Sequence, residues 1–224
     1  MRLFFFIIIF FFECLFPEAI WAVFVNEKLW STIGFNTQIG KYVFQIEPQL
    51  RVRDRPYLFD QFLTNFGGGY QLSPQWTLSL GGTTVTTKTN QGPSLQESRV
   101  WEQVLFKHEQ APWLTLRSRL EQRTLQDSNQ WSYRLRERLT LKKALTDNLS
   151  LVWFDEFFIN VTRADWINTK TIDQNRILIS LDQQASKSLV IGAGYLYQYV
   201  FSTPRQASHV ISLYAQITLP NEIK

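Results

Sequence analysis

Arginine and glutamate recur at every second position along several stretches of this sequence, and they are the residues best suited to chemistry. The set comprises Glu47, Arg51, Arg53, Glu97, Arg99, Arg117, Arg119, Glu121, Arg123, Arg134, Arg136, Arg138, Glu156 and Arg176. Ten of these residues are arginines and four are glutamates. Guanidinium groups bind carboxylates and phosphates through charge-assisted hydrogen bonds. On one side of a sheet, the set would form a network of ion pairs or an anion-binding surface.

Two roles for this charged set follow from its composition. On neighbouring strands, arginine and glutamate reach one another, so the set can fill a small barrel as a structural network. The arginine surplus, in a chain of formal charge +4, also favours an anionic ligand such as a lipid phosphate, a sugar phosphate or an acidic segment of a partner. We predict that every member of the set except Arg53 lines the lumen, that is, the interior of such a barrel. There the set would form a structural network or bind an anionic ligand. Nucleic acid is not an expected partner, because no recognition motif accompanies these charges.

Catalytic and metal-binding residues are sparse. Hydrolases that use an activated nucleophile generally pair a histidine with serine or a carboxylate. The chain has only two histidines, His108 and His209. The one conceivable dyad joins His209 with Ser208, Ser212 or Ser202. We therefore predict no catalytic residue, no metal and no cofactor. A small enzyme acting on envelope lipids and a narrow channel remain the alternatives to a structural or anion-binding barrel.

The first 22 residues have the features of a secretory signal peptide. Arg2 supplies a positive charge, Leu3 to Phe12 is entirely apolar, and the segment ends at Ala22. The only cysteine, Cys14, would leave with this segment. We predict a mature domain of residues 23–224 that has no thiol for a disulfide, a metal or nucleophilic catalysis.

From Leu29 onward the hydrophobic pattern has a period of two residues, which is typical of β-strands. Between Tyr42 and Arg53, for example, the even-numbered positions are mainly apolar and the odd-numbered ones are mainly charged or amide-bearing. Eleven such runs of roughly 10 to 14 residues are separated by turn-forming clusters. They begin near Leu29, Tyr42, Tyr57, Trp76, Glu97, Pro112, Trp131, Asn148, Gln174, Ser188 and Ala207. Gly67 to Gly69 falls within one run and is expected to permit a bend or close packing.

Long strands with one apolar face fit either a soluble sandwich or a membrane barrel. Runs of this length match a tilted membrane crossing better than the strands of about five or six residues usual in soluble sheets. Aromatic residues near the run ends resemble the girdles of membrane barrels. They are Trp30, Tyr42, Tyr70, Trp76, Trp113, Trp131, Trp153 and Tyr199. We therefore predict an all-β fold, a closed antiparallel up-and-down transmembrane β-barrel of about 10 to 12 strands.

Three features conflict with a regular barrel of this kind. Glu137 and Asp155 fall by alternation on the face expected to meet lipid, where a charge is costly, so we expect β-bulges near them. An odd strand count departs from the usual even number, so we expect one run to have been split or missed. If the tight turns are periplasmic, the N-terminus lies outside, and a missed element near either end would resolve this.

Six short motifs, in this order, resemble a bacterial family catalogued as domain of unknown function 2490. They are EPQLR at 47–51, ESRVWEQ at 97–103, RSRLEQR at 117–123, WSYRLRER at 131–138, EFFIN at 156–160 and DQNR at 173–176. The resemblance implies a barrel in the bacterial outer membrane, surrounded by outer-membrane lipid. The cleaved signal peptide predicted from the first 22 residues would direct its export. The resemblance implies no activity, because the family has none established. It leaves the oligomeric state open.

Overall fold

Eleven β-strands account for most of the chain in the computed structural model, which describes residues 24–53, 58–89 and 92–220. The predicted signal peptide and the start of the mature chain, Val23, lie outside the described residues. The strands are β1 (Phe24–Ile39), β2 (Tyr42–Arg53), β3 (Leu58–Gln71), β4 (Trp76–Thr87), β5 (Leu95–Lys107), β6 (Leu114–Leu125), β7 (Trp131–Ala144), β8 (Leu149–Asn160), β9 (Ile172–Ser186), β10 (Leu189–Val200) and β11 (Gln206–Thr218). The described residues contain no helix that is long and apolar enough to cross a membrane.

The strands form one closed barrel in chain order, which confirms the predicted all-β, closed up-and-down barrel. Each strand pairs antiparallel with the next, and β1 closes the barrel by pairing in parallel with β11 along Phe24–Asn36 and Gln206–Thr218. The expectation that one run had been split or missed is wrong, since all eleven runs are strands and the described ranges hold no twelfth. An odd count makes the closing pair parallel. Closure leaves no open sheet edge, as in other up-and-down barrels.

The odd strand count also places the beginning of β1 and the end of β11 at opposite ends of the barrel. Short turns, such as Gly40–Lys41 with Gly40 at a φ of 60°, join strands at the end where β11 finishes. The longest described connection, residues 161–171, lies at the end where β1 begins. We call these the short-turn end and the long-loop end.

Side chains alternate between the outer wall and the lumen, as the period of two predicts. Large apolar side chains point outward and are highly exposed, Leu80 by 59% and Ile211 by 60%. The side chains of the predicted charged set point inward. Gly67 and Gly81 also face inward, where a Cβ atom would meet the Trp101 ring at 2.5 Å and 2.2 Å respectively. The glycine run thus permits close packing, as expected.

Glu137 and Asp155 face outward, as their positions predict, but no bulge lies beside them. The register shifts occur between Arg51 and Val52, at Phe158/Ile159 and at Leu189/Val190. Neighbouring polar side chains on the same wall satisfy these carboxylates instead. Ser118 Oγ donates to Glu137 Oε1 at 2.6 Å, and Asn175 Nδ2 donates to Asp155 Oδ1 at 2.5 Å.

Five of the eight aromatic residues predicted to lie near strand ends are exposed there. Tyr42, Tyr70, Trp76, Trp113 and Trp131 are exposed at or near strand ends. Trp153 is half-buried and Tyr199 is buried.

Trp30 is the clear exception to the girdle, because it is only 3% exposed and lines the lumen. The reason is the start of β1. This strand begins at Phe24 rather than near Leu29, because Phe24–Lys28 pair with β11. Trp30 therefore lies well inside the strand, on its inward-facing side, and not at its end.

Candidate functional site

The barrel encloses a cavity of about 670 Å³ that is lined mainly by charged and amide side chains. Twelve of the thirteen predicted lumen residues line it, namely Glu47, Arg51, Glu97, Arg99, Arg117, Arg119, Arg123, Arg134, Arg136, Arg138, Glu156 and Arg176. The thirteenth, Glu121, is fully buried against two of these arginines. All thirteen residues therefore lie at the lumen, where alternation within each strand places them.

Glu121 on β6 anchors the centre of the charge network. Arg134 on β7 donates to Glu121 Oε2 from Nε at 3.0 Å and from Nη2 at 2.6 Å. Arg136 donates from Nη1 to the other carboxylate oxygen at 2.6 Å. Both oxygens of a carboxylate that is 0% exposed are thus held by guanidinium groups. Such charge-assisted hydrogen bonds offset the cost of removing the carboxylate from water.

Glu156 on β8 is the second anchor and shares Arg136 with Glu121. Arg136 donates to Glu156 Oε1 from Nε at 2.9 Å and from Nη2 at 2.7 Å. Arg117 on β6 donates to the same oxygen. Arg136 therefore links two buried glutamates, and the linked pairs hold the β6, β7 and β8 walls together.

Glu97 forms a separate group toward the long-loop end. It accepts hydrogen bonds from Arg99 Nε at 2.8 Å and from Arg123 Nε at 2.6 Å. The ring of Trp166, in the loop of residues 161–171, lies over the Arg123 guanidinium at 5.2 Å. This loop is in turn tied to the β6–β7 connection, since Gln130 Nε2 donates to Asp165 Oδ2 at 2.8 Å. The long-loop end of the lumen is therefore partly covered by an ordered loop.

Four inward arginines form no ion pair with any carboxylate of the described residues: Arg51, Arg119, Arg138 and Arg176. Two of them donate their described hydrogen bonds to neutral amide groups. Arg51 donates to Gln49 and Gln61, and Arg119 donates twice to Gln103 Oε1, at 3.0 and 2.7 Å.

Arg138 and Arg176 lie on either side of Glu156 in the strand register. That carboxylate makes its described hydrogen bonds to Arg117 and Arg136 instead. The Nε atoms of Arg138 and Arg176 are buried and have no hydrogen-bond partner among the described residues. A buried donor without an acceptor is costly, so these two positions are suited to receiving an acceptor from a ligand.

Aromatic rings inside the lumen are the feature that sequence reasoning missed. The Arg119 guanidinium lies 4.0 Å from the centre of the Trp101 ring, and that of Arg51 lies 3.8 Å from the centre of the Trp30 ring. Cation–π contacts of this kind stabilise guanidinium groups that have no anionic partner. Alternation alone could have placed Trp101 inside, because it has the same parity as Glu97 and Arg99 on β5.

Two other predicted charges take no part in the ion pairs of Glu97, Glu121 and Glu156. Arg53 ends β2 and lies 3.7 Å from Asp60, which also pairs with Lys28 at 3.1 Å. Glu47 lines the cavity, but its described hydrogen bond, from Asn65 Nδ2, is long at 3.4 Å.

The structure does not assemble the His209 dyad. His209 points to the outer wall, where its Nδ1 lies 2.5 Å from the Tyr195 hydroxyl. Ser208 and Ser212 are buried and face inward on the same strand. Ser202 donates to the Pro204 carbonyl. Among the described residues, no group of three or more His, Cys, Asp or Glu side chains could hold a metal ion.

Comparison with known proteins gives a family match. A family described as "Protein of unknown function (DUF2490)" matches residues 27–209. No curated protein and no solved structure matches the chain. The family match spans the barrel from β1 into β11 and agrees with the resemblance carried by the six motifs. The chain therefore belongs to the DUF2490 family.

Proposed function

We propose that this chain is an outer-membrane β-barrel that binds an anionic ligand in its lumen. One observation carries the proposal: nine arginines line the cavity against five carboxylates in the same network (Glu47, Glu97, Glu121, Glu156 and Asp173), and four of those arginines lack an ion pair among the described residues. Lys28 and Asp60 also line the cavity, but they pair with each other and leave the surplus unchanged.

The excess of arginine over carboxylates indicates a function because these side chains are buried. Uncompensated charges removed from water are costly, and they are retained in proteins mainly where they are paired or bind something. A structural filler would be served by matched numbers of arginine and glutamate. Glu97, Glu121, Glu156 and Asp173 hold the other five arginines, while Arg51, Arg119, Arg138 and Arg176 form no ion pair with a carboxylate of the described residues. An anion entering the cavity would supply the missing partner.

The membrane part of the proposal is supported by the outer wall. Strands of 12 to 16 residues are long enough for a tilted crossing. The exposed side chains in mid-strand include Ile46, Leu80, Ile179 and Ile211, whose exposure to water would be unfavourable. In a membrane these side chains meet lipid, and the charges remain in the lumen.

Titration of the purified full chain with inorganic phosphate tests the anion-binding function. The experiment uses an uncharged detergent, isothermal calorimetry, and tetramethylammonium as a cationic control. We expect saturable phosphate binding that weakens as salt rises, because salt screens charge interactions, and no binding of the cation. Absence of saturable phosphate binding at low salt would contradict the proposed function.

A further inference from the structure

The indole of Trp30 lies beside two of the arginines that lack a carboxylate partner. Arg51 is its direct cross-strand neighbour on β2, with its Cζ 3.8 Å from the ring centre. Arg176 reaches the same ring from β9, with its Cζ 5.0 Å from the ring centre. Two guanidinium groups from separate parts of the barrel therefore converge on one aromatic ring.

Donor groups at this position lack acceptors. Trp30 Nε1 and Arg176 Nε are both buried, and neither has a hydrogen-bond partner among the described residues. Arg51 makes its described hydrogen bonds to neutral glutamine side chains only. Trp30, Arg51 and Arg176 all line the cavity, so an acceptor in the lumen can approach them.

We infer that Trp30, Arg51 and Arg176 form a site for a phosphate group, a proposal that rests on anion binding as the function of the lumen. The charges determine the class of ligand. Two unpaired guanidinium groups carry two positive charges, and a phosphate monoester carries about −1.5 to −2 at neutral pH. A carboxylate would neutralise only one of them. Phosphate also offers several acceptor oxygens, enough for the indole N–H and both guanidinium groups.

The surroundings of Trp30 hold the site in place before any ligand arrives. The indole packs in a buried cluster with Leu178, Leu196 and Val210, and Phe154 packs against this cluster. Side chains fixed by packing lose little conformational freedom on binding. The apolar cluster thus provides a rigid support for the phosphate site.

The test compares inorganic phosphate binding to the full-chain barrel and its variants, measured by calorimetry and by tryptophan emission. Trp30→Phe keeps a ring but removes the N–H donor, and Arg176→Gln removes one charge. We expect each to weaken binding about tenfold or more. Arg176→Lys keeps the charge and should retain more affinity than Arg176→Gln. Trp76→Phe on the outer wall and Arg163→Gln in a loop make matched changes outside the site, and both should bind as the wild type does.

A structure of the wild-type barrel with tungstate, a heavier oxyanion, provides a test that does not depend on variant folding. Density contacting Trp30 and Arg176 is expected, and density confined to another part of the lumen would refute the site. Native mass spectrometry then distinguishes the source of the phosphate. A phospholipid that co-purifies with the barrel and is displaced by inorganic phosphate identifies a lipid headgroup, whereas a barrel that co-purifies with no phospholipid and still binds phosphate identifies a soluble phosphate compound.

Failure of this site and failure of the proposed function give different results. If the wild type binds phosphate and the Trp30 and Arg176 variants bind it equally well, the lumen binds anions elsewhere and the site is wrong. If the wild type binds no phosphate, both proposals fail.

Discussion

Replacing Glu121 by glutamine is expected to lower the free energy of unfolding by about 3–5 kcal/mol, the usual cost of removing one partner from a buried ion pair. Glutamine has nearly the same volume, so packing is preserved and the loss reports the charge. Arg134 and Arg136 would then face a neutral amide in place of a carboxylate that is completely buried. Urea unfolding of the refolded barrel, followed by tryptophan emission and by heat-dependent gel mobility, measures this change.

Glu47→Gln is the matched control for this substitution. Glu47 faces the same lumen, but its described hydrogen bond is a single long one from Asn65. Its replacement should cost less than about 1 kcal/mol, as expected for a weakly engaged carboxylate. In a barrel that already carries Glu121→Gln, adding Arg134→Gln should lower the free energy of unfolding by less than Arg134→Gln does alone. The reason is that Arg134 has by then lost its main partner. Equal losses for Glu121→Gln and Glu47→Gln would show that the Glu121 network does not hold the barrel together.

Replacing Leu80 by arginine is expected to destabilise the membrane-inserted barrel by about 2–4 kcal/mol, the range found for a cation near the middle of the bilayer on the lipid face of a barrel. Leu80 lies near the middle of β4, points to the outer wall and is 59% exposed. Folding into lipid vesicles, measured by urea titration, gives the free-energy difference. If the outer wall met water, the same arginine would be solvated and nearly neutral in its effect.

Leu219→Arg separates the effect of depth from the effect of charge. Leu219 is also exposed on the outer wall but directly follows the last residue of β11. At the membrane interface, arginine costs about 0–1 kcal/mol. Similar small effects at Leu80 and Leu219 would argue against a lipid-facing outer wall.

Alternation along single strands predicted most of the fold and the identity of the lumen residues. It is a local property, and a strand of 12 residues displays it several times. The start of β1 could not be predicted in this way, because Phe24–Lys28 belong to the barrel through their parallel pairing with β11. The position of Trp30 depended on that start, and it was therefore assigned to the membrane interface in error.

The ion pairs within the lumen are still harder to predict from the sequence. Whether Arg136 or Arg138 reaches Glu156 depends on the register of neighbouring strands and on side-chain direction, and the direct cross-strand neighbour is not the one that binds. The same holds for Arg176, which meets Trp30 across the lumen from β9. The sequence shows that arginine outnumbers glutamate in the charged set. Only the closed barrel shows which arginines form no ion pair.

Cell fractionation tests the account most directly, because every other proposal depends on a barrel with lipid outside and charge inside. The full chain is produced in a Gram-negative host, and the outer membrane, inner membrane and periplasm are separated. We predict recovery in the outer membrane, resistance to extraction by sodium carbonate, and faster gel migration before heating than after. Recovery as a folded, soluble protein in the periplasm would contradict the account.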